Sequence, residues 1–433
     1  MGKNRKHRAA TQQARQGGDP GTPRMSRAEI QAASAEELAH AIALGALESA
    51  KGNARAARHF AVELTGNESF IPALEQGARQ AVRRLLIEAF KNGWLPEDID
   101  QAARRRVDEF ATGYLTDAMA DYIGEFAPET VDATWRAQLE ALGATRWWSQ
   151  ADPHLGQWAA KQLLIPAEAM TAVIDAVALL FQLPKMQLIR PLPGTARPHS
   201  AAHHAVDDKV LGRVRGLLAK AESTAFPEEA ETLSAKAQEL MTKYAIDRVL
   251  IDADTHAPDL PGARRLWLET PYVDAKALLV DVVAQANRCR AIFSAEWGFV
   301  AIVGDDADLD AVELLTTSLL VQATRAMIAS GNADQRSAEA RSRTFRKSFL
   351  IAYATRIGER LAQANADTIA KSAASERLLP VLASHELKVN EAFDTLFPTV
   401  KSSRVSAGSA EGWQAGRDAA DRARLEARRP IGK

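Results

Sequence analysis

The residues with the clearest chemical potential fall in two stretches, at positions 304–310 and 343–360. The first reads Gly304-Asp305-Asp306-Ala307-Asp308-Leu309-Asp310 and gathers four carboxylates. Hard oxygen ligands in such numbers can hold a divalent cation, and a cation beside a phosphate supports phosphoryl chemistry. The same run directly precedes a helical pattern, where Asp caps free backbone N–H groups and complements the helix dipole. No distant acid in the chain pairs with it. We therefore read Asp305, Asp306, Asp308 and Asp310 as helix-start residues and assign no metal ligand and no catalytic residue.

The second stretch contains FRKSFLIAYATRIGERL, positions 345–361. At about 100° per residue, Phe345, Phe349, Tyr353, Ile357 and Leu361 share one half of a helical wheel. Arg346, Arg356 and Arg360 fall on that same half. Guanidinium groups among apolar side chains need partners, because an unpaired buried charge is costly. Either their stems pack while the heads pair with acids such as Asp305 or Asp306, or they form a pocket for an anion. Arg343, Arg346, Lys347, Arg356 and Arg360 are the candidate residues for nucleic-acid or anion binding, with Arg341 widening the patch.

Other constellations point to structure. His199 and His203 are four apart and could share a helix face as metal ligands, with His204, Asp207 and Asp208 nearby. They sit among prolines without the glutamate of a zinc-protease helix, so we read them as solvated. Cys289 is the single cysteine. It excludes an intrachain disulfide and a thiolate zinc site, and its apolar neighbours suit a small core residue. No phosphate-binding glycine loop, dinucleotide fingerprint or nucleophile elbow is present. No cofactor is assigned, and we read a binding protein in preference to an enzyme.

Positioning these residues falls to a chain of 433 residues, which is longer than one hydrophobic core usually supports. The net charge of −1 gives no global field toward nucleic acid or an anionic membrane. The longest apolar run, 176–181, is far too short to span a bilayer, and the basic N-terminus lacks a signal peptide's apolar core. The expectation is a cytoplasmic protein with no membrane partner.

The expected fold class is mainly α with a small α+β domain. Residues 1–25 read as a disordered basic arm and 26–183 as a helical domain, with a capping box at Ser34 and Glu37. Helical spacing runs through 77–90 and 107–119. Trp135, Trp147, Trp148 and Trp158 are expected on shorter helical pieces as core anchors. Prolines 184, 191, 193 and 198 mark a linker over 184–206. A helical hairpin follows at 207–247, with Leu217, Leu233, Leu240 and Met241 as its seam. An α+β domain at 262–375 reads as strands at 264–269, 289–294 and 299–303 and helices at 273–287 and 308–330. This is a β-α-β-β-α unit, followed by a helix at 343–372. Residues 405–433 read as a C-terminal helix and tail.

The hairpin LGRVRGLLAKAESTAFPEEAETLSAKAQELMTKYAID resembles domain-of-unknown-function family 2786, through Leu217, Leu218, Ala219, Ala221, Glu231, Ala235, Lys236, Ala237, Leu240, Met241, Lys243 and Tyr244. The following region, with the 345–361 stretch and the Gly412, Gly416, Ala419 and Ala420 tail, is similar to the domain that often accompanies this hairpin. The family has no established activity, so no functional residue is carried over. Its occurrence in phage proteins implies a tilt toward DNA-related or host-interaction roles. The leading expectation is an accessory protein binding nucleic acid or another phosphate-bearing ligand through the basic helix. The alternatives are a protein-interaction scaffold and a divalent-metal hydrolase or nuclease.

Overall fold

A computed structural model describes residues 26–53, 55–66, 70–196, 204–223, 232–233, 236–244, 261–333, 342–370, 375–399 and 406–422. The basic arm, Arg341, His199 and His203 lie outside the described residues, as do the side chains of His204, Asp207 and Asp208. The chain forms two compact units. The first takes the described residues up to Met186 with Leu192–Ala196, and the second takes Gln187–Pro191 and the described residues from His204 onward.

The first unit is helical: α1 (Arg27–Ala32), α2 (Ala35–Ala50), α3 (Ala56–Thr65), α4 (Pro72–Lys91), α5 (Pro96–Arg106), α6 (Glu109–Ile123), α7 (Ala133–Ala141), α8 (His154–Lys161) and α9 (Pro166–Gln182). The helix starts are written locally. Ser34 Oγ accepts the N–H of Glu37 while the Glu37 carboxylate accepts the N–H of Ser34, as the sequence pattern predicts. Prolines open α4, α5 and α9, where the missing N–H removes nothing. Helix α9 is apolar on nearly every side, and Met170, Val173, Ile174 and Val177 are fully enclosed. Such a helix belongs at the centre of a core, and α2, α3, α4 and α6 all pack against it.

Trp135 and Trp158 anchor this core as expected, and Trp94 joins them. Trp135 meets Phe90 edge-on at 4.8 Å between centroids, and Trp158 meets Tyr114 at 5.1 Å. Trp147 and Trp148 depart from the expectation. They lie in the loop between α7 and α8, and neither is buried. Gly143, in a left-handed conformation, and Pro153 bound this loop, so no helical face carries the two indoles inward.

The second unit contains α10 (His204–Ser223), α11 (236–244), β1 (Gly262–Trp267), α12 (Val273–Ala286), β2 (Arg290–Ser294), β3 (Phe299–Gly304), α13 (Asp306–Ala333), α14 (Arg343–Ala370), α15 (Ser375–Leu396) and α16 (Ala410–Arg422). The three strands form an antiparallel sheet in the order β1-β3-β2, with Arg264 opposite Ile302 and Ile292 opposite Ala301. Central strand β3 is buried along its whole length, which suits its uninterrupted apolar sequence. Val300 and Ile302 face a large core shared with α12, α13 and α14, while Val303 joins Ala263, Val389 and Phe393 on the side of α15.

The hairpin seam keeps Met241 of its predicted line and departs from that line at Leu217 and Leu240. Leu211, Val214, Leu218 and Ala221 are buried on α10, and Ala237, Gln238, Met241 and Thr242 on α11. Leu217 and Leu240 are half-buried against the same core. Truncating Leu218 to alanine is expected to cost about 2–5 kcal/mol. A denaturant titration checks this, and an unchanged midpoint would show that the seam lies elsewhere.

Two corrections concern the C-terminal third. Helix α15 was not anticipated. Pro380 lies inside it and reads as a breaker, although helical spacing continues through Leu382, Val389, Phe393 and Leu396. Helix α16, expected as an appendage, packs along α14 in the same unit. The approach is so close that a Cβ on Gly412 or Gly416 would strike the carbonyls of Phe345 or Phe349. Ser348, fully buried, ties the start of α16 by accepting the N–H groups of Gly408 and Ser409 at 3.0 Å.

Candidate functional site

Helix α14 is enclosed on all sides from Ser348 to Ala354, so it has no single core face at its middle. Arg343 and Arg346 project from its first turns and are exposed. Lys347 pairs with Asp274 on α12 at 2.5 Å. Arg356 bonds to Glu359 at 2.7 Å and also to Asp421 on α16. Arg360 donates to the carbonyl of Ala420. Hydrogen bonds from Arg356 first, and then from Arg417, hold the Glu359 carboxyl below its ordinary pKa. Arg356 and Arg360 thus fasten α16 to α14, and the acids they use are not Asp305 or Asp306. The ion pairs are half exposed, so each contributes at most about 1 kcal/mol.

The four acids after β3 diverge in a way the sequence did not suggest. Each meets a basic side chain from a different segment. Asp306 pairs with Arg190 at 2.9 Å, Asp310 with Arg264 at 2.6 Å, Asp308 with Arg288 at 2.7 Å and Asp305 with His385 at 2.6 Å. Asp306 and Asp308 stand in the first turn of α13, and the Asp305 carbonyl accepts the N–H of Leu309 at 2.8 Å.

Asp305, Asp308 and His385 form the tightest group. One potential ligand atom from each lies within 4.8 Å of the others. His385 stands on α15 and points Nε2 at Asp305, while its Nδ1 is enclosed without a hydrogen-bond partner. The hydrogen bond to Asp305 raises the His385 pKa, with smaller help from the charges of Asp305 and Asp308, and burial and Arg288 oppose it.

Arg288 completes the site at a conformational cost. It follows α12 with φ +60°, in the left-handed region. The Cys289 N–H bonds back to Ala284 and the Arg288 N–H to Gln285, which is the helix ending where glycine is usual. A side chain there costs about 1–2 kcal/mol. What arginine gains is a two-pronged contact with Asp308, at 2.7 and 3.3 Å. Beneath it Cys289 is buried against Gly304, where any Cβ would collide with the sulfur. Burial pushes the thiol well above its ordinary pKa, in line with a core residue and against a nucleophile.

Two carboxylates and an imidazole make a ligand set suited to a divalent cation, and a neighbouring guanidinium suits an oxyanion bound to that cation. Sequence reasoning missed two of these residues. His385 sat on the helix hidden by Pro380, and Arg288 sat where a helix gives way to a strand and glycine would be ordinary.

Polar contacts join this region to the hairpin. Gln238, fully buried, donates to Asn287 at 3.2 Å and to Asn365 at 3.1 Å. Residues 209–248 match the family model described as Protein of unknown function (DUF2786). No curated protein and no solved structure matches the chain. The DUF2786 segment is therefore keyed, through Gln238, to the residue that immediately precedes Arg288. Its buried face is partly polar, which explains why its seam lies beside the purely apolar stripe.

Proposed function

We propose that the second unit binds a divalent cation at Asp305, Asp308 and His385 and, through that cation and Arg288, a phosphate-bearing ligand. The observation that carries this reading is the convergence of three ligand atoms within 4.8 Å from segments 80 residues apart. A bound cation would take the place of the proton shared by His385 and Asp305, and Asp308 would keep one oxygen for Arg288. A nucleic acid is one such ligand. The basic helix would add Arg343 and Arg346, since Lys347, Arg356 and Arg360 are engaged with the fold. We also place the protein in the cytoplasm, supported by its single, buried and unpaired thiol. Among the described residues, no single helix is long and apolar enough to cross a membrane.

A second reading has its own support. The acids are matched one to one, Asp305 with His385 and Asp308 with Arg288, so the cluster could serve only to hold α15 and α12 to the end of β3. Calorimetric titration with Mn²⁺, Mg²⁺ and Zn²⁺ separates the two. We expect saturable binding of one ion by the parent protein, lost in Asp305→Asn and in His385→Gln while circular dichroism stays unchanged. A parent protein that binds none of the three ions leaves the ion-pair reading standing alone.

A further inference from the structure

The first unit holds a cleft that the reading above does not use. It opens between α4, α6 and α8 and is lined by Arg79, Arg83, Tyr114, Asp117, Trp148 and His154 among others. Its design centres on Asp117, a nearly buried carboxylate on α6. Trp147 Nε1 donates to Asp117 at 2.9 Å, and His154 Nε2 lies 2.8 Å from the same carboxylate. One buried acid thus sets the orientation of two rings that lie outside the core. His154 is in turn flanked by Trp148 at 4.3 Å and Tyr114 at 5.3 Å between centroids. Aromatic rings held in place by an acid beneath them form a rigid stacking surface, with its ordering cost met during folding.

The charges around this surface are paired. Arg79 is 59% exposed while its partner Asp121 is 18% exposed. Arg146 also engages Asp121, at 3.2 Å, so that acid keeps a cationic partner when Arg79 turns to a ligand. Arg83, one turn along α4, pairs with Glu125 at the rim. Lys161 lies 3.7 Å over the Trp147 ring, and that ring is 36% exposed. The cleft thus sets aromatic rings beside two arginines, each paired with an acid, and Arg79 is the most exposed of these charges.

We propose that this cleft binds a nucleobase-bearing phosphate, with the base stacked on Trp148 and the phosphate on Arg79 and Arg83. Base stacking on an aromatic side chain tolerates any base, and arginine recognises phosphate through paired donors. Asp117 acts as a positioning residue for the rings of Trp147 and His154. The ligand's source is either a free nucleotide or a single-stranded nucleic acid, since both present this chemistry.

Tryptophan fluorescence of the full chain, titrated with adenosine monophosphate, a short oligothymidylate and inorganic phosphate, tests the proposal. We expect saturable quenching by a nucleotide probe and little by phosphate alone. Tighter, strongly salt-dependent binding of the oligothymidylate assigns the site to single strands, and equal affinities assign it to free nucleotides. Trp148→Ala should weaken binding roughly tenfold to a hundredfold. Arg83→Gln, at the exposed rim, should weaken it and flatten its salt dependence. The same titration with divalent cations chelated should be unchanged, which separates this site from the cation site of the second unit. Absence of quenching by either nucleotide probe overturns the proposal, as does equal quenching by inorganic phosphate or undiminished binding in both cleft variants.

Discussion

Replacing Arg288 with methionine is expected to destabilise the second unit by about 3–5 kcal/mol, because it strands the Asp308 carboxylate in a nearly closed site. Asp308 is 9% exposed, so water does little to replace the lost guanidinium. Arg288→Gly should cost about 1 kcal/mol less than Arg288→Met, since glycine relieves the left-handed backbone while losing the same contact. Adding Asp308→Asn to Arg288→Met should recover part of the loss by removing the stranded charge. Urea melts of the four proteins provide the check. Equal midpoints for the parent and Arg288→Met would mean that the carboxylate is solvated and that the strained backbone at Arg288 has no electrostatic reason.

The second large effect concerns the clasp between α14 and α16. Gly416→Leu puts a branched side chain where the Phe349 carbonyl and the Ala352 methyl already stand. Overpacking of this kind costs about 1–3 kcal/mol, and here the obstacle is backbone that cannot turn aside. The two helices must separate, and the Arg356–Asp421 and Arg417–Glu359 pairs part with them. We expect a lower melting temperature and faster proteolysis of the chain's C-terminal end. Gly416→Leu with a parental melting curve would show that α16 does not pack against α14.

The helices and strands of this chain were legible where apolar spacing and caps agree. The capping box at Ser34, the prolines opening helices and the apolar run of β3 each express a local rule. The arginines of α14 were harder to read. A wheel assigns faces relative to one neighbour, and α14 has neighbours on every side. Arg356 and Arg360 therefore resolve into contacts with α16, whose closeness depends on Gly412 and Gly416, while Arg346 stays exposed. Trp147 and Trp148 escaped the core because a loop offers no helical face to turn them inward.

The site was legible by half. Asp305 and Asp308 were visible as a cluster, but which of four acids would converge depended on segments that meet them only in the folded chain. Arg190 and Arg264 draw Asp306 and Asp310 away, leaving Asp305 and Asp308 to His385 and Arg288. Spacing along the chain carries no record of that division. Helical spacing at Leu382, Val389 and Phe393 could have revealed α15, and a histidine among them would then have been a candidate.

The most direct test of the cation site is a crystal grown with Mn²⁺ and measured at the manganese absorption edge. We predict one anomalous peak bounded by Asp305 Oδ, Asp308 Oδ and His385 Nε2, at coordination distances of about 2.0–2.6 Å. A map with no peak there, in crystals where Arg288 still holds Asp308 and His385 still holds Asp305, would contradict the account.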